Sequence, residues 1–435
     1  MNPSTLTSKK IFFFWAPLAS TWLMMAIEGP YLAMIIARLA EPKFNLAAYG
    51  VAYSIGLLVE APIIMIMSAS TALVKDKDSF IKLKRFIYLL NAIVSVIMII
   101  LVIPEVFQMV IVNLIGLPPV VDKLTYHAVI CLMPWPAAIG YRRFYQGLLI
   151  RAGQTHLVTL GTVIRLIFMS VTAAVLFKLE ILPGAYVGVL ALSVGVLTEA
   201  VASRILAIPT VKSIVHKDAQ TNTGLSYGEI TRFYYPLALT SMLGLGVQFL
   251  QTFFVGQSRM ALESLAVLPV VNGLVFLFRS LGLSYQEVVI TYLHENQQNY
   301  KILRRFGLYL GGVMTIILSV IAFTDISMIW YETVSGLSTK LAEFAVLPTQ
   351  ILILLPALTV LISLQRGTVV YARRTKHITL ATLIEVIGIL TVLSLTIFFL
   401  DWIGVLAAVT AVFFGRTAAN LYFQYPVSLI RKQIS

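Results

Sequence analysis

Long apolar runs alternate with short polar stretches along the whole chain. About 20 mostly apolar residues are enough for a helix to cross a bilayer. The pattern therefore predicts an all-α polytopic membrane protein with twelve transmembrane helices and no room between them for a soluble domain. The predicted spans are 11–38, 45–74, 86–103, 124–149, 156–178, 184–208, 229–256, 262–293, 304–323, 340–371, 377–399 and 402–430.

The most polar connector lies between the sixth and seventh spans. Its Gly, Ser, Thr and Asn content is typical of a flexible linker. We therefore predict an N-terminal six-helix bundle at 1–208, a cytoplasmic linker at 209–228 and a C-terminal six-helix bundle at 229–435.

The two predicted bundles resemble each other in sequence at a nearly constant offset. The string 80–86 resembles 300–306 at an offset of 220 (306 − 86), Pro17 maps to Pro236 at 219, and 187–191 resembles 403–407 at 216. Non-apolar positions that keep the 220-residue register include Pro136 with Pro356, Gly147 with Gly367 and Thr155 with Thr375. Six spans per repeat predict two pseudo-symmetric bundles of the same orientation, related by an axis along the membrane normal, with a cleft between them. Such an architecture is typical of an alternating-access transporter.

Composition agrees with this class. Hydrophobic residues make up 59% of the chain and charged residues only 12%, where soluble domains have about 25% charged residues. The mean hydropathy is +0.90. A single cysteine and five scattered histidines exclude a disulfide framework and give no metal-site pattern. The sequence holds no P-loop and no nucleophile arrangement. We therefore expect no enzyme, no metal and no cofactor other than a coupling H⁺ or Na⁺.

The net charge of +13 reflects the topology. Most basic loop residues lie on the side of the N-terminus, which predicts that both termini are cytoplasmic and near anionic lipid heads. A nucleic-acid partner is not expected, and no obligate protein partner is implied. The absence of an N-x-[ST] sequon favours a bacterial inner membrane. The opposite side holds only Arg38, Lys43, Lys123, Lys178, Arg259 and Lys340.

Several arginines lie well inside the predicted spans. A charge at that depth costs at least about 2.5–3.5 kcal/mol, so it faces a partner or a watery cavity. Arginine stays charged and binds carboxylate or phosphate in two-pronged fashion, which favours an anionic substrate. The alternative is that these arginines cap broken helices or pair with Glu199 and Glu287. The predicted substrate-binding residues are Arg142, Arg143, Arg165, Arg279 and Arg416; Arg204, Arg232 and Arg366 lie nearer the helix ends and are interpreted as structural.

Three intramembrane acids complete the candidate site. Glu28 precedes Gly29 and Pro30, and Glu60 precedes Pro62. An acid beside a proline break suits proton or sodium coupling, although a static hydrogen bond to a buried arginine is an equal alternative for Glu28. Glu385 is the 220-residue equivalent of Arg165, which predicts either a salt bridge between the bundles or a separate pair within each bundle.

Two short strings resemble a known family. Leu46-Ala-Ala-Tyr-Gly-Val-Ala-Tyr-Ser54 followed by Pro62, and Phe233-Tyr-Tyr-Pro-Leu-Ala-Leu239, are similar to motifs of the progressive ankylosis (ANK) family, as is Glu28 after Pro17-Leu18. The overall repeat resembles the superfamily of multidrug and toxin extruders (MATE) and lipid-linked oligosaccharide flippases. The resemblance implies a secondary transporter for small anions of the pyrophosphate, nucleotide or citrate class.

We therefore expect an exporter of small organic or phosphate-bearing anions that uses an arginine-lined central cleft. A proton- or sodium-coupled multidrug cation antiporter would place acids and aromatic rings in the cleft. A flippase for a lipid-linked phosphate would use the same arginines and would need a lateral portal. A membrane transferase or a scaffold has no supporting motif.

Overall fold

A computed structural model describes residues 6–216, 225–295, 297–372, 374 and 376–434. Throughout this described part the regular structure is helical, and an isolated bridge pairs Arg259 with Ile403. The predicted all-α class is confirmed.

The helices of the first half follow the predicted spans closely. They are α1 (Ser8–Ala37), α2 (Pro42–Glu60), α3 (Ile66–Leu73), α4 (Lys77–Leu101), α5 (Pro104–Phe107), a π-helical turn (Gln108–Val112), α6 (Asn113–Ile115), α7 (Pro119–Leu132), α8 (Trp135–Arg151), α9 (Thr155–Leu179), α10 (Gly184–Leu206) and α11 (Ile208–His216).

The second half repeats this order. Its elements are α12 (Tyr227–Gly256), α13 (Ala261–Leu283), α14 (Tyr285–Glu295), a 3₁₀ turn (Gln297–Asn299), α15 (Tyr300–Phe323), α16 (Ile326–Met328), a π-helical turn (Ile329–Val334), α17 (Thr339–Ile351), α18 (Leu355–Tyr371), α19 (Lys376–Ser394), a π-helical turn (Leu395–Phe399) and α20 (Gly404–Ile434).

Ten helical segments of the described part are long and apolar enough to cross a membrane. They indicate an integral membrane protein. Two further predicted spans, 45–74 and 124–149, are each divided by a turn, at 61–65 and at 133–134. The count of twelve therefore holds when each divided segment crosses once.

Prolines explain where these two spans break. Pro62 and Pro134 lack the N–H that would continue the preceding helix, and the residue before a proline is pushed away from helical geometry. Helix α2 accordingly ends at Glu60, two residues before Pro62. Helix α1 behaves differently, because it stays continuous through Pro17 and Pro30.

The chain divides into two compact units. The N-terminal unit is Leu39–Gly256, and the C-terminal unit is Met1–Arg38 together with Gln257–Ser435. The units thus group α1 with the second half and α12 with the first, a grouping that differs from the predicted domains 1–208 and 229–435, which remain a prediction. Of the predicted linker 209–228, residues 209–216 belong to α11, and 217–224 lie outside the described residues.

The internal repeat is visible in the backbone. Gly116 and Gly336, 220 residues apart (336 − 116), both adopt φ of 77°, a left-handed conformation that glycine tolerates without strain. Helices α10 and α20 begin at Gly184 and Gly404, also 220 residues apart (404 − 184). The offset of 216 expected near this point is wrong, because the helix starts keep the 220-residue register. Thr375, one of the predicted matches, lies outside the described residues.

In the N-terminal unit, α12 packs mainly on α2, and α9 packs on α10. The Tyr234 hydroxyl donates to the Pro62 carbonyl oxygen at 2.5 Å, which ties α12 to the turn that follows Glu60. Gly256 lies so close to Ile115 that a Cβ would come within 2.3 Å of the Ile115 carbonyl oxygen. A glycine is therefore required at the end of α12.

In the C-terminal unit, α1 packs mainly on α13. The Trp15 indole N–H donates to the Leu281 carbonyl oxygen at 3.1 Å, and Arg38 Nη2 donates to the Thr333 carbonyl oxygen at 2.6 Å. The buried core of this unit includes Trp15, Tyr285 and Phe423. Helix α1 is thus held at both of its ends.

Candidate functional site

Glu199 on α10 is the centre of a buried polar cluster in the N-terminal unit. Its side chain is fully buried, and its Oε2 accepts a hydrogen bond from Arg142 Nη1 and lies 3.3 Å from Arg165 Nε. Its Oε1 accepts hydrogen bonds from Gln146 Nε2 at 2.9 Å and Thr162 Oγ1 at 3.4 Å. A carboxylate with this many donors is a satisfied buried ion.

Arg143 and Glu60 lie beside Glu199, but each of them has a polar atom without a hydrogen bond to any described residue. Arg143 is half-buried, its Nη1 lies 3.6 Å from Met67 Sδ, and its Nε has no hydrogen-bond partner in the ranges that the structure describes. Glu60 is buried, and its Oε2 has no hydrogen-bond partner among the described residues. The guanidinium groups of Arg142, Arg143 and Arg165 act on Glu60 electrostatically without bonding that oxygen. We call Arg142, Arg143, Arg165, Glu60 and Glu199 the N-terminal arginine cluster.

A glycine sets the approach of the two helices that carry the Arg165–Glu199 pair. A Cβ at Gly195 on α10 would lie 2.9 Å from Met169 Cβ and 3.2 Å from the Arg165 carbonyl oxygen on α9. Contacts this short leave no space for a larger side chain. Gly195 therefore brings α9 within reach of Glu199, one helical turn further along α10.

The C-terminal unit contains a second cluster with fewer acids. Arg416 Nη2 on α20 lies 2.8 Å from Glu385 Oε1 on α19, and each of these side chains is 12% exposed. Arg279 on α13 and Arg366 on α18 are both half-buried, and both are acted on by Arg416 and Glu385. Three guanidinium groups thus share the influence of one carboxylate. We call Arg279, Arg366, Arg416 and Glu385 the C-terminal arginine cluster.

Two guanidinium donors of this cluster are unused. Arg279 Nε donates to Thr359 Oγ1 at a long 3.4 Å, and the Nε atoms of Arg366 and Arg416 have no hydrogen-bond partner within the described part of the chain. Asn420 fixes the backbone beside the cluster, because its Nδ2 donates to the Leu358 and Arg416 carbonyl oxygens at 3.2 and 2.9 Å. The guanidinium groups are therefore held on ordered helices with donors to spare.

A second close approach mirrors that of Gly195. A Cβ at Gly415 would lie 2.7 Å from the Glu385 carbonyl oxygen. Gly415 is the 220-residue equivalent of Gly195 (415 − 195), and Glu385 is the equivalent of Arg165. The same helix crossing therefore carries an ion pair in both units with its polarity reversed: the base is on α9 in one unit, and the acid is on α19 in the other.

Two further equivalent positions differ in charge. Glu60 and Arg279 are each the nineteenth residue of their helices, α2 and α13. Gln146 and Arg366 are 220 residues apart (366 − 146), each just before a glycine, Gly147 or Gly367. At both positions the C-terminal unit carries arginine where the N-terminal unit carries an acid or an amide.

The structure thus groups all five predicted substrate-binding arginines into two clusters. Arg165 pairs with Glu199 inside the N-terminal unit and Glu385 pairs with Arg416 inside the C-terminal unit, which is the alternative of a separate pair within each bundle. The pairing of Arg165 with Glu385 stays a prediction. Glu28 is half-buried on α1 in the C-terminal unit. Its coupling role and that of Glu60 also stay predictions.

Sequence reasoning missed three residues that belong to the two arginine clusters or bond to them. Arg366, interpreted as structural, lies near Arg416 and Glu385. Gln146 and Thr162 bond Glu199 and drew no notice, because neutral polar residues are common in apolar helices. The repeat offered one signal for Arg366, since it stands directly before Gly367 in the register of Gly147. Among the described residues, no group of three or more His, Cys, Asp or Glu residues is placed to hold a metal ion.

The order of helices defines the class of fold. It is the all-α fold of the multidrug and toxin extruder (MATE) transporters. No protein-family model and no curated protein sequence matches the chain.

Solved structures give the particular likenesses. A multidrug resistance MATE family transporter of the MOP superfamily in an inward-facing conformation matches with a TM-score of 0.72 and 12% identity, over 95% of this chain and 96% of that one. The lipid II flippase MurJ in an inward closed conformation matches with a TM-score of 0.72 and 15% identity, over 97% and 90%. An outward-facing MATE transporter matches with a TM-score of 0.61 and 14% identity, over 98% and 97%. The likeness is one of fold, and the resemblance to the progressive ankylosis family stays a prediction.

Proposed function

We propose that the chain is a secondary active transporter that works by alternating access and exports small organic or phosphate-bearing anions. The observation that carries the proposal is the C-terminal arginine cluster, where three half-buried guanidinium groups share one carboxylate. The likeness in fold to MATE transporters and to a flippase supports the transporter class.

The charge balance supports an anionic cargo. An excess of positive charge inside a membrane protein is costly unless a partner or water offsets it. An anion with two or more oxygens offsets it well, because each guanidinium offers a planar fork of donors. The unused Nε donors of Arg366 and Arg416 suit that role. Pyrophosphate, a nucleotide or citrate are the cargo class that the family resemblance implies.

Glu60 is our proposed coupling residue, with Glu28 as a second one. A buried carboxyl with one oxygen lacking a hydrogen-bond partner is suited to take up a proton or sodium ion. Its position at the end of α2 places it next to the turn at 61–65, which α12 contacts through Tyr234. Protonation would remove one negative charge from the N-terminal arginine cluster. The cluster would then attract an anion more strongly.

A lipid-linked phosphate is the second candidate cargo. The observation that favours it is that the TM-score to the lipid II flippase MurJ, 0.72, equals that to the inward-facing MATE transporter. The phosphate of such a lipid would use the same guanidinium groups. A cation antiport would leave the arginines without a role. We also propose a bacterial inner membrane, because the sequence has no N-x-[ST] sequon.

Flux through proteoliposomes tests the proposal. Uptake of labelled pyrophosphate, ATP and citrate would be measured at fixed ionic strength beside a cationic dye and a short-chain lipid pyrophosphate. We expect saturable anion uptake that falls roughly 10–100-fold in Arg366→Gln and in Arg279→Gln, since each removes a charge-assisted contact. Arg366→Gln installs the residue found at the equivalent position, Gln146, so folding should be preserved.

The matched control is Arg259→Gln, which removes an exposed arginine outside both clusters. It should transport like the wild type. Dye uptake that survives both cluster variants would overturn the anion proposal in favour of cation antiport. Transfer of the lipid pyrophosphate alone would move the assignment to the flippase.

A further inference from the structure

A basic pocket lies at the start of α15, within the C-terminal unit, and none of its lining residues belongs to the C-terminal arginine cluster. Its volume is about 430 Å³. Four cationic side chains line it, all exposed, and no acid is among the described residues of its lining. The four are Lys301, Arg304, Arg305 and Arg431.

Two tyrosines hold two of the three arginines of this pocket in place. Arg431 stacks its guanidinium 5.2 Å above the centre of the Tyr300 ring, and Arg305 lies 5.5 Å from that of Tyr309. Arg305 also donates from Nε and Nη2 to the Tyr309 hydroxyl at 3.4 and 3.3 Å. Cation–π contacts of this kind orient a guanidinium without neutralising it. The pocket therefore presents fixed positive charge to an incoming anion.

An exposed apolar stripe continues from the pocket along α15. Leu308 lines the pocket and is 62% exposed, and Ile316 and Phe323 on the same helix are 64% and 61% exposed. From Leu308 to Phe323 the helix rises about 22 Å at 1.5 Å per residue. One leaflet of the hydrocarbon core is roughly 15 Å thick. The stripe is thus long enough to lie beside a whole acyl chain.

The location fits one class of ligand. The basic loops predict that the start of α15 faces the cytoplasm, and that leaflet carries the anionic lipids. A free phosphate ion would use the arginines but leave Leu308 and the stripe without a partner. A phospholipid uses both. We infer that the basic pocket binds the phosphate-bearing headgroup of an anionic phospholipid whose chains lie along α15.

The equivalent helix of the N-terminal unit gives a matched comparison. Arg85 on α4 is the 220-residue equivalent of Arg305 (305 − 85), and it is also exposed. On α4, however, the basic string is partly neutralised, since Lys82 Nζ lies 2.7 Å from Asp78 Oδ2. The equivalent of Arg431 is the apolar Val211. The C-terminal unit therefore has a cation, Arg431, where the N-terminal unit has Val211, and an amide, Gln298, where the N-terminal unit has Asp78.

Native mass spectrometry of the detergent-purified protein tests the inference. Retention of dioleoyl phosphatidylglycerol would be compared with dioleoyl phosphatidylcholine for the wild type, Arg305→Gln, Arg431→Gln and the control Arg85→Gln. We expect retention of phosphatidylglycerol by the wild type and the control. Each pocket variant should bind it roughly fivefold more weakly, as expected for one basic residue near an anionic headgroup.

Glycerol 3-phosphate, which carries the headgroup chemistry without chains, separates the two sources of phosphate. Failure of glycerol phosphate to compete at equal concentration would support a lipid. If glycerol 3-phosphate displaced phosphatidylglycerol as strongly as the lipid itself does, the inference of a lipid site would be overturned in favour of a site for soluble phosphate. Equal retention of both lipids, or equal weakening in Arg85→Gln, would also overturn the inference. None of these outcomes depends on which cargo is transported.

Discussion

The two arginine clusters occupy equivalent helices but bury their charge differently. In the N-terminal arginine cluster, Glu199 is fully buried and takes hydrogen bonds or ion pairs from four side chains. In the C-terminal arginine cluster, Glu385 and Arg416 keep 12% exposure, and two further arginines stand near them. Among the described residues both clusters keep an unused guanidinium donor, on Arg143 in one and on Arg366 and Arg416 in the other, so the difference lies in the central acid, which is fully buried in one cluster and partly exposed in the other. The comparison teaches that both halves of a duplicated fold can keep the same helix crossing while equivalent positions in it, such as Arg165 and Glu385, carry opposite charges.

Removing the central acid of each cluster is the strongest test of this difference. Glu199→Gln should lower the free energy of unfolding by about 3–5 kcal/mol, because it leaves buried guanidinium groups without their counter-charge. Glu385→Gln should cost less, about 1–3 kcal/mol, because each side chain of that pair keeps 12% exposure and so pays a smaller desolvation penalty. Thermal unfolding in one detergent would compare the two. Equal losses would mean that the burial of the central acid does not distinguish the clusters.

The two glycines at the helix crossings give the next largest effect. Gly415→Ala should destabilise the protein by about 1–3 kcal/mol, because its Cβ would meet the rigid Glu385 backbone oxygen at 2.7 Å. Gly195→Ala should cost less, since its closest backbone contact, the Arg165 carbonyl oxygen, lies at 3.2 Å. The same unfolding measurement ranks them. A larger loss for Gly195→Ala would contradict the crossings as described.

Glu60 should give the smallest change in stability and a specific change in transport. Glu60→Gln is expected to alter the unfolding free energy by less than about 1 kcal/mol, because one of its oxygens bonds nothing among the described residues. Anion uptake should persist but lose its response to an imposed pH or sodium gradient. Glu105→Gln, at an exposed acid, serves as the control. A gradient response that survives Glu60→Gln would remove Glu60 from the coupling step.

Much of the fold follows from the sequence because span length and proline position are local properties. The break after Glu60 lies next to Pro62, which the sequence analysis named, whereas the break before Trp135 falls inside a span predicted as continuous, and α1 runs unbroken through Pro17 and Pro30. The grouping of α1 with the second half was not foreseen. Helices in a membrane are apolar on most faces, so no amphipathic stripe indicates which neighbour a helix packs against.

The same lack of an amphipathic pattern explains why the sequence predicted only part of the candidate site. Depth in the membrane can be read from the sequence, and it selected all five arginines of the substrate-binding prediction. Rotation about the helix axis cannot be read from it. The interpretation of Arg366 as structural rested on its nearness to a helix end, whereas its neighbours Arg416 and Glu385 come from helices distant in sequence.

The reversed ion pair bears on the history of the chain. If the halves arose by duplication of one gene, positions 165 and 385 began as the same residue. Helices α10 and α20, which face these positions, likewise began as one helix. The partners of these residues do not correspond, however, because Glu199 is equivalent to Ala419 and Arg416 to Val196, about one turn away on the facing helix. At least three positions of the crossing therefore changed after duplication, and each half acquired its own place for the partner of its ion pair.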